Sequence, residues 1–245
     1  MISPRAALGF ARSLVIYRAR PWRIARLAKF YRRFISPGDL AFDIGAHVGN
    51  RSLALASAGA RVVALEPQSP FSQFLARTMP SAVTVLPLAA GPSEGEARLA
   101  VSSLHPTVSS MAQGFGAAMA RDPGFRGVAW DSEQAVRATT LDALIARFGH
   151  PAFVKIDVEG FEADVLAGLS SPVRTIAFEA LPAAPEVTRA CVERLSSLGD
   201  YRFNLVSGER LAFALPEWGD GAAVLAAASD AARSGDVYAR LAHES

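Results

Sequence analysis

At residues 42–50 the chain reads Phe42-Asp43-Ile44-Gly45-Ala46-His47-Val48-Gly49-Asn50, an apolar run that closes on an aspartate and then two glycines four positions apart. A strand that ends in a glycine turn before a helix has this form, because glycine lets the backbone reverse tightly and lets a ligand approach the main chain. Position 47 is histidine, so the turn lacks the Gly-x-Gly-x-x-Gly spacing that presses a pyrophosphate onto a helix N-terminus. Outward from this turn the pattern repeats. Strands at 40–44, 61–65, 83–88, 152–158 and 175–178 alternate with helices at 50–58, 70–78, 161–169 and 186–198. That alternation predicts an α/β fold with a mostly parallel sheet and helices on both faces. Shorter apolar runs predict a hairpin partner at 97–102, a hairpin from 201–206 and 211–215, a helix at 222–232 and a last edge strand at 236–241. Residues 104–139 hold four glycines, two prolines and no clear strand, the composition of an inserted lid or binding loop.

Three further stretches carry chemistry. The second strand ends Leu65-Glu66-Pro67, which places an acid 23 residues after Asp43, where it suits the two hydroxyls of a ribose. Asp43, before the turn, suits a cationic or amine-bearing group rather than a phosphate. Together they point to a nucleoside ligand without phosphates. The fourth strand, Val154-Lys155-Ile156-Asp157-Val158-Glu159, alternates apolar side chains with three charges, although a central parallel strand is expected to be apolar on both faces. Buried charges are unfavourable unless paired or used. They therefore read either as a site at the strand's carboxyl end or as a buried Lys155–Asp157 ion pair. Glu179, ending the fifth strand, is placed to join Asp157 around a divalent metal. His47 in the turn and His105 at the start of the inserted segment are candidate contacts to cofactor or substrate, or plain loop histidines. Cys191, at helical spacing from Val187 and Leu195, reads as core.

The run at 42–50 with Leu65-Glu66-Pro67 resembles class I methyltransferases. Thr140-Leu141-Asp142 followed by Lys155-Ile156-Asp157-Val158-Glu159-Gly160-Phe161-Glu162 sharpens that likeness to the FkbM family of S-adenosylmethionine-dependent methyltransferases, over about residues 40–242. The resemblance implies a seven-stranded Rossmann-like sheet and transfer of a methyl group to a hydroxyl oxygen of a sugar, glycan or secondary metabolite. It implies that Asp43, Gly45, Ala46, His47, Gly49 and Asn50 surround the methionine part of S-adenosylmethionine. Glu66 and Pro67 would lie at the ribose and Ala89-Ala90 at the adenine. Asp157 would stand at the reaction centre, and Ser109-Ser110, with His105, near the acceptor. Methyl transfer to an alcohol needs an aligned donor and the removal of a proton. Asp157 or Glu159 is expected to take that proton, with Lys155 tuning the carboxylate.

Charge divides the chain unevenly. Residues 1–36 carry nine basic side chains and no acidic one; removing those nine from the 25 basic residues leaves 16 against 23 acidic ones, a net −7. The first 36 residues read as a basic helical extension, divided near Pro21, and residues 37–245 as the methyltransferase domain. The extension is expected to pack on that domain, or to touch an anionic membrane surface through residues 5–34. Its apolar runs at 6–10 and 13–17 are too short for a secretory signal, and no window nears the ~20 apolar residues of a spanning helix. One cysteine excludes an internal disulfide framework and points to a cytoplasmic protein, at most peripheral to the inner face of a membrane. The acidic body disfavours a nucleic-acid methyltransferase. A non-catalytic, membrane-associated protein of the same fold is the reading from a different class, and an oligomer is open.

Overall fold

The computed structural model describes residues 4–18, 20–112, 127–208, 211–231 and 233–242. The chain opens with α1 (Pro4–Ser13), a π-helical turn (Leu14–Arg18) and α2 (Pro21–Tyr31), with Pro21 starting the second helix. There follow β1 (Leu40–Ile44), α3 (Asn50–Ala58), β2 (Arg61–Leu65), α4 (Ser69–Thr78), β3 (Val83–Leu86), β4 (Leu88–Ala90) and β5 (Gly95–Val101). After a 3₁₀ turn (Pro106–Val108) come β6 (Ser132–Thr139), α5 (Leu141–Phe148), β7 (Phe153–Ile156), α6 (Glu162–Ala167), β8 (Thr175–Ala180), α7 (Pro185–Leu198), β9 (Tyr201–Ser207), α8 (Gly221–Ser229) and β10 (Gly235–Leu241).

Seven strands form one sheet in the order β3-β2-β1-β7-β8-β10-β9, parallel except for β10, which runs antiparallel to both its neighbours. This is the seven-stranded, mostly parallel sheet that the resemblance implies. Every residue of β1 and β7 is buried, as expected of central parallel strands covered on both sides. Phe42, Ile44, Val154 and Ile156 pack on one face with α5, α6 and α7, while Ala41 and Phe153 face α2 and α3 on the other. α2 supplies Ala28, Phe30 and Tyr31 to that second core. Phe34, just beyond it, stacks on Phe153 at 5.9 Å and on Tyr238 at 5.3 Å between ring centres.

The structure corrects five readings. The strand expected at 83–88 is broken by Pro87, which has no N–H to donate to a ladder, so β3 stays in the main sheet and β4 leaves it. β4 joins a second, three-stranded sheet in the order β4-β6-β5, and the partner of β5 is β6 rather than the preceding strand. Residues 104–139 are therefore not all loop, and residues 113–126 of that segment lie outside the described residues. No strand forms at 211–215. The side chain of buried Asn204 instead accepts the Leu215 N–H (3.0 Å) and donates to its carbonyl (3.0 Å). Finally, β10 is an inner strand, inserted between β8 and β9 with Val237, Tyr238 and Ala239 buried.

Candidate active site

In an open parallel sheet the crevice lies at the carboxyl ends of the strands, where the order reverses. Here that point is between β1 and β7, and a cavity of about 230 Å³ opens there. Two backbone turns bound it. In the β1–α3 turn Gly45 has φ +83°, and a Cβ on it would overlap the carbonyl oxygen of Asp157. Gly45 thus lets the turns after β1 and β7 touch. His47, next but one, is held at φ +50°, and Glu159 in the turn after β7 at φ +53°. For residues with a side chain these conformations are strained, and such strain gathers at ligand sites.

At one end of the cavity Glu66, 5% exposed, accepts the main-chain N–H of His47 through Oε2 and that of Gln68 through Oε1, both at 2.8 Å. Each carboxylate oxygen keeps a further lone pair. Burial pushes the Glu66 carboxyl up to about 7, against the pull of those two N–H groups. Ala89 and Ala90 on β4 line the same region with small side chains. The imidazole of His47 lies 4.6 Å from the Phe71 ring, and burial lowers its pKa to about 4, so it is neutral at physiological pH.

Asp157, Glu159 and Glu179 occupy the other end, each offering an oxygen within 4.8 Å of the other two. Burial, then the charge of Asp157 and Glu162, pushes Glu159 well above the carboxylate range. Burial, then Glu159 and Asp157, does the same to Glu179, whose Oε2 is buried without a hydrogen-bond partner. Behind Asp157 stands a network of four charges. Arg51 reaches Asp157 and Asp236 at 3.1 Å each, while Lys155 reaches Asp236 at 3.0 Å, Asp157 at 3.9 Å and the Ile156 carbonyl at 2.8 Å. Burial alone would raise the Asp236 pKa, but the two cations outweigh it and hold the carboxyl below its ordinary range.

Of the residues expected in the site, Gly45, Ala46, His47, Asn50, Glu66, Pro67, Ala89, Ala90, Ser109, Asp157, Glu159 and Glu179 line the cavity. The others stand elsewhere for physical reasons. Asp43 is fully buried behind the wall, where it accepts the Ser52 hydroxyl and where burial raises its pKa. Gly49 has no room for a Cβ against the Met79 side chain, so it serves the packing of the turn on α4. Lys155 is completely buried in the ion network. His105 precedes the 3₁₀ turn, whose Pro106 and Thr107 line the cavity while His105 itself does not. The Ser110 hydroxyl donates to the Glu159 carbonyl at 2.6 Å and so ties the segment after β5 to the turn after β7.

Arg51 and Tyr17 are among the lining residues that the sequence reading does not include. Arg51 is the only charged side chain of α3, and that isolation beside a glycine turn was its one signal in the sequence. Tyr17 comes from the π-helical turn and meets the His47 ring edge-on at 5.6 Å. The same segment is fixed by Ser13 to His47 Nε2 (3.0 Å), by Arg18 donating to the Val48 carbonyl (2.9 Å) and by Phe10 against Phe71 (5.1 Å).

Comparison with known proteins adds the family. Residues 43–215 match the methyltransferase FkbM domain. No curated protein matches the sequence. Among solved structures, the chain is similar to a precorrin-6Y C5,15-methyltransferase from Geobacter metallireducens (14% identity, 89% of this chain and 86% of that chain, TM-score 0.47). It is also similar to the C-terminal domain of the precorrin-6Y C5,15-methyltransferase of Rhodobacter capsulatus (14% identity, 88% and 87%, TM-score 0.42). With its family domain spanning both turns of the cavity, the chain belongs to the FkbM methyltransferase family.

Proposed function

We propose that the protein is an S-adenosylmethionine-dependent O-methyltransferase acting on a hydroxylated small molecule or glycan. The observation that carries this reading is the polarity of one cavity: a single cradled acid, Glu66, at one end and three convergent carboxylates at the other. The residues present fit the cofactor. Glu66 has lone pairs left for two ribose hydroxyls, Ala89 and Ala90 leave room for a flat base, and Gly45, Ala46 and Asn50 edge the path between the two ends. When bound, S-adenosylmethionine supplies an electrophilic methyl group in line with the acceptor. The chain's own part is to hold the acceptor oxygen and take its proton. Asp157 already has Oδ2 engaged by Arg51, so it orients rather than accepts. Glu159, whose pKa burial and then the charge of Asp157 push up, takes the hydroxyl proton. Three carboxylates at the acceptor end also disfavour a phosphodiester chain.

Titrating S-adenosylmethionine into the protein by calorimetry tests the cofactor. Binding is expected, and Glu66→Ala should weaken it roughly tenfold to a hundredfold by removing hydrogen bonds to the ribose and baring two buried N–H groups. A folded protein with no affinity for S-adenosylmethionine would end the reading. Closeness of the three acceptor-end oxygens favours one second reading, a divalent cation among them. Turnover lost to a chelator and restored by magnesium would assign it.

A further inference from the structure

The N-terminal helices have one face committed to the protein and another left to solvent. Inward, Gly9 and Ser13 are buried, and Phe10 packs on Phe71 and Phe74. Outward, the exposed large apolar side chains among the described residues are Leu8 (63%), Val15 (66%), Trp22 (61%) and Leu104 (37%). Three of these belong to the N-terminal helices. The fourth is beside them, because Gly9 of α1 is packed against the backbone of Ser103 and Leu104. Soluble surfaces seldom gather apolar side chains in this way without a partner. Arg5, Arg12, Arg26 and Lys29 are exposed on the same two helices, and residues 1–36 contain no acid.

From this combination we infer that the outer face of α1, the π-helical turn and α2 docks on an anionic phospholipid surface. Leu8, Val15 and Trp22 would enter the headgroup layer, and the arginines and Lys29 would pair with lipid phosphates. A helix lying in an interface has this division of side chains, with tryptophan favoured at headgroup depth. What favours lipid is the combination of side chains: exposed Leu8, Val15 and Trp22 interspersed with basic groups and no acidic one complement a surface that is negatively charged at its headgroups and apolar beneath them. Docking in this orientation would set the wall holding Tyr17 close to the lipid, so the acceptor cavity would sit at the membrane's edge.

Co-sedimentation of the full chain with vesicles of phosphatidylcholine alone, or of phosphatidylcholine mixed with phosphatidylglycerol, tests this directly. Binding to the mixed vesicles and not to the neutral ones is expected, falling as salt is raised. Arg12→Gln with Arg26→Gln should weaken it by about thirtyfold, at roughly 1 kcal/mol per basic group near the surface. Leu8→Glu, Val15→Glu and Trp22→Glu together should abolish it. All these variants should keep the parent's melting midpoint and S-adenosylmethionine affinity, since none touches the cavity. Equal binding to neutral vesicles, no binding to either, or variants that bind like the parent would overturn the inference. So would a single-stranded oligonucleotide that displaces the vesicles, or a dimer in solution that the glutamate variants dissociate.

Discussion

Five acids, Asp157, Glu159, Glu162, Glu179 and Asp236, gather around the turn after β7, and among the described residues two cations, Arg51 and Lys155, pair with them. Arg51 and Lys155 are spent on Asp157 and Asp236, which leaves Glu159 and Glu179 to settle their mutual repulsion by keeping a proton. If Glu159 is the base, it works only after losing that proton. Turnover should then climb with pH through a value above the ordinary carboxylate range instead of being level from pH 5 upward. Glu159→Gln should lower kcat by roughly 10²–10⁴ with S-adenosylmethionine affinity unchanged. Asp157→Asn removes the neighbouring charge that, after burial, does most to raise Glu159, so its pH profile should move toward acid; a profile that stays put would transfer the tuning role elsewhere. Lys155 is a different matter, because it is buried behind Asp157 and does not itself line the cavity. Lys155→Met leaves Asp236 to Arg51 alone in a buried setting and should destabilise the protein by about 3–5 kcal/mol, read by chemical denaturation.

At the level of elements, the β1–α3 turn is where local conformation and long-range packing meet. Gly45→Ala must take up a left-handed φ and place a methyl on the Asp157 carbonyl. Gly38→Ala takes up φ +90° in open space and isolates the conformational part, about 1–2 kcal/mol. Gly45→Ala should therefore lower the melting midpoint several times as much as Gly38→Ala, and equal midpoints would show the turn to be slack. The elements that could be read from the sequence share a physical cause. β1, β2, β7 and β8 are buried on both faces and so appear as apolar runs, closed by the acids and glycines their carboxyl ends need. β6 escaped because it is half exposed: Val136 and Thr139 are its only buried side chains, and neither makes a run. Among site residues, Glu66 and Asp157 were legible because each ends a strand. Tyr17 was not, since it reaches the cavity by folding back across the β1–α3 turn, and no local pattern encodes that contact. Asp43 also ends a strand, where it is fully buried with Oδ2 accepting the Ser52 hydroxyl and Oδ1 without a hydrogen-bond partner among the described residues.

Across the whole molecule, the basic N-terminal segment looks dispensable from charge alone, as everything with a recognisable catalytic pattern follows it. The packing distributes its roles unequally. Residues 4–18 touch the rest through Gly9 on Ser103 and Leu104, Phe10 on Phe71 and Phe74, Ser13 and Tyr17 at His47, and Arg18 at Val48, and Tyr17 and His47 line the cavity. Residues 28–31, by contrast, enter the core: Phe30 is 5% exposed and Tyr31 completely buried, in contact with Phe153. Two shortened chains should separate these roles. One starting at residue 20 keeps the core and loses a cavity wall, so it should melt cooperatively while binding S-adenosylmethionine about tenfold more weakly, a loss of about 1.4 kcal/mol. One starting at residue 34 also loses Phe30 and Tyr31. Large buried aromatic side chains are each worth about 3–5 kcal/mol, and a domain of this kind has only about 5–15 kcal/mol in total. It should therefore show no cooperative transition by circular dichroism. If the shorter chain melts as sharply as the full one and binds the cofactor equally well, α2 is an ornament on the fold rather than part of it.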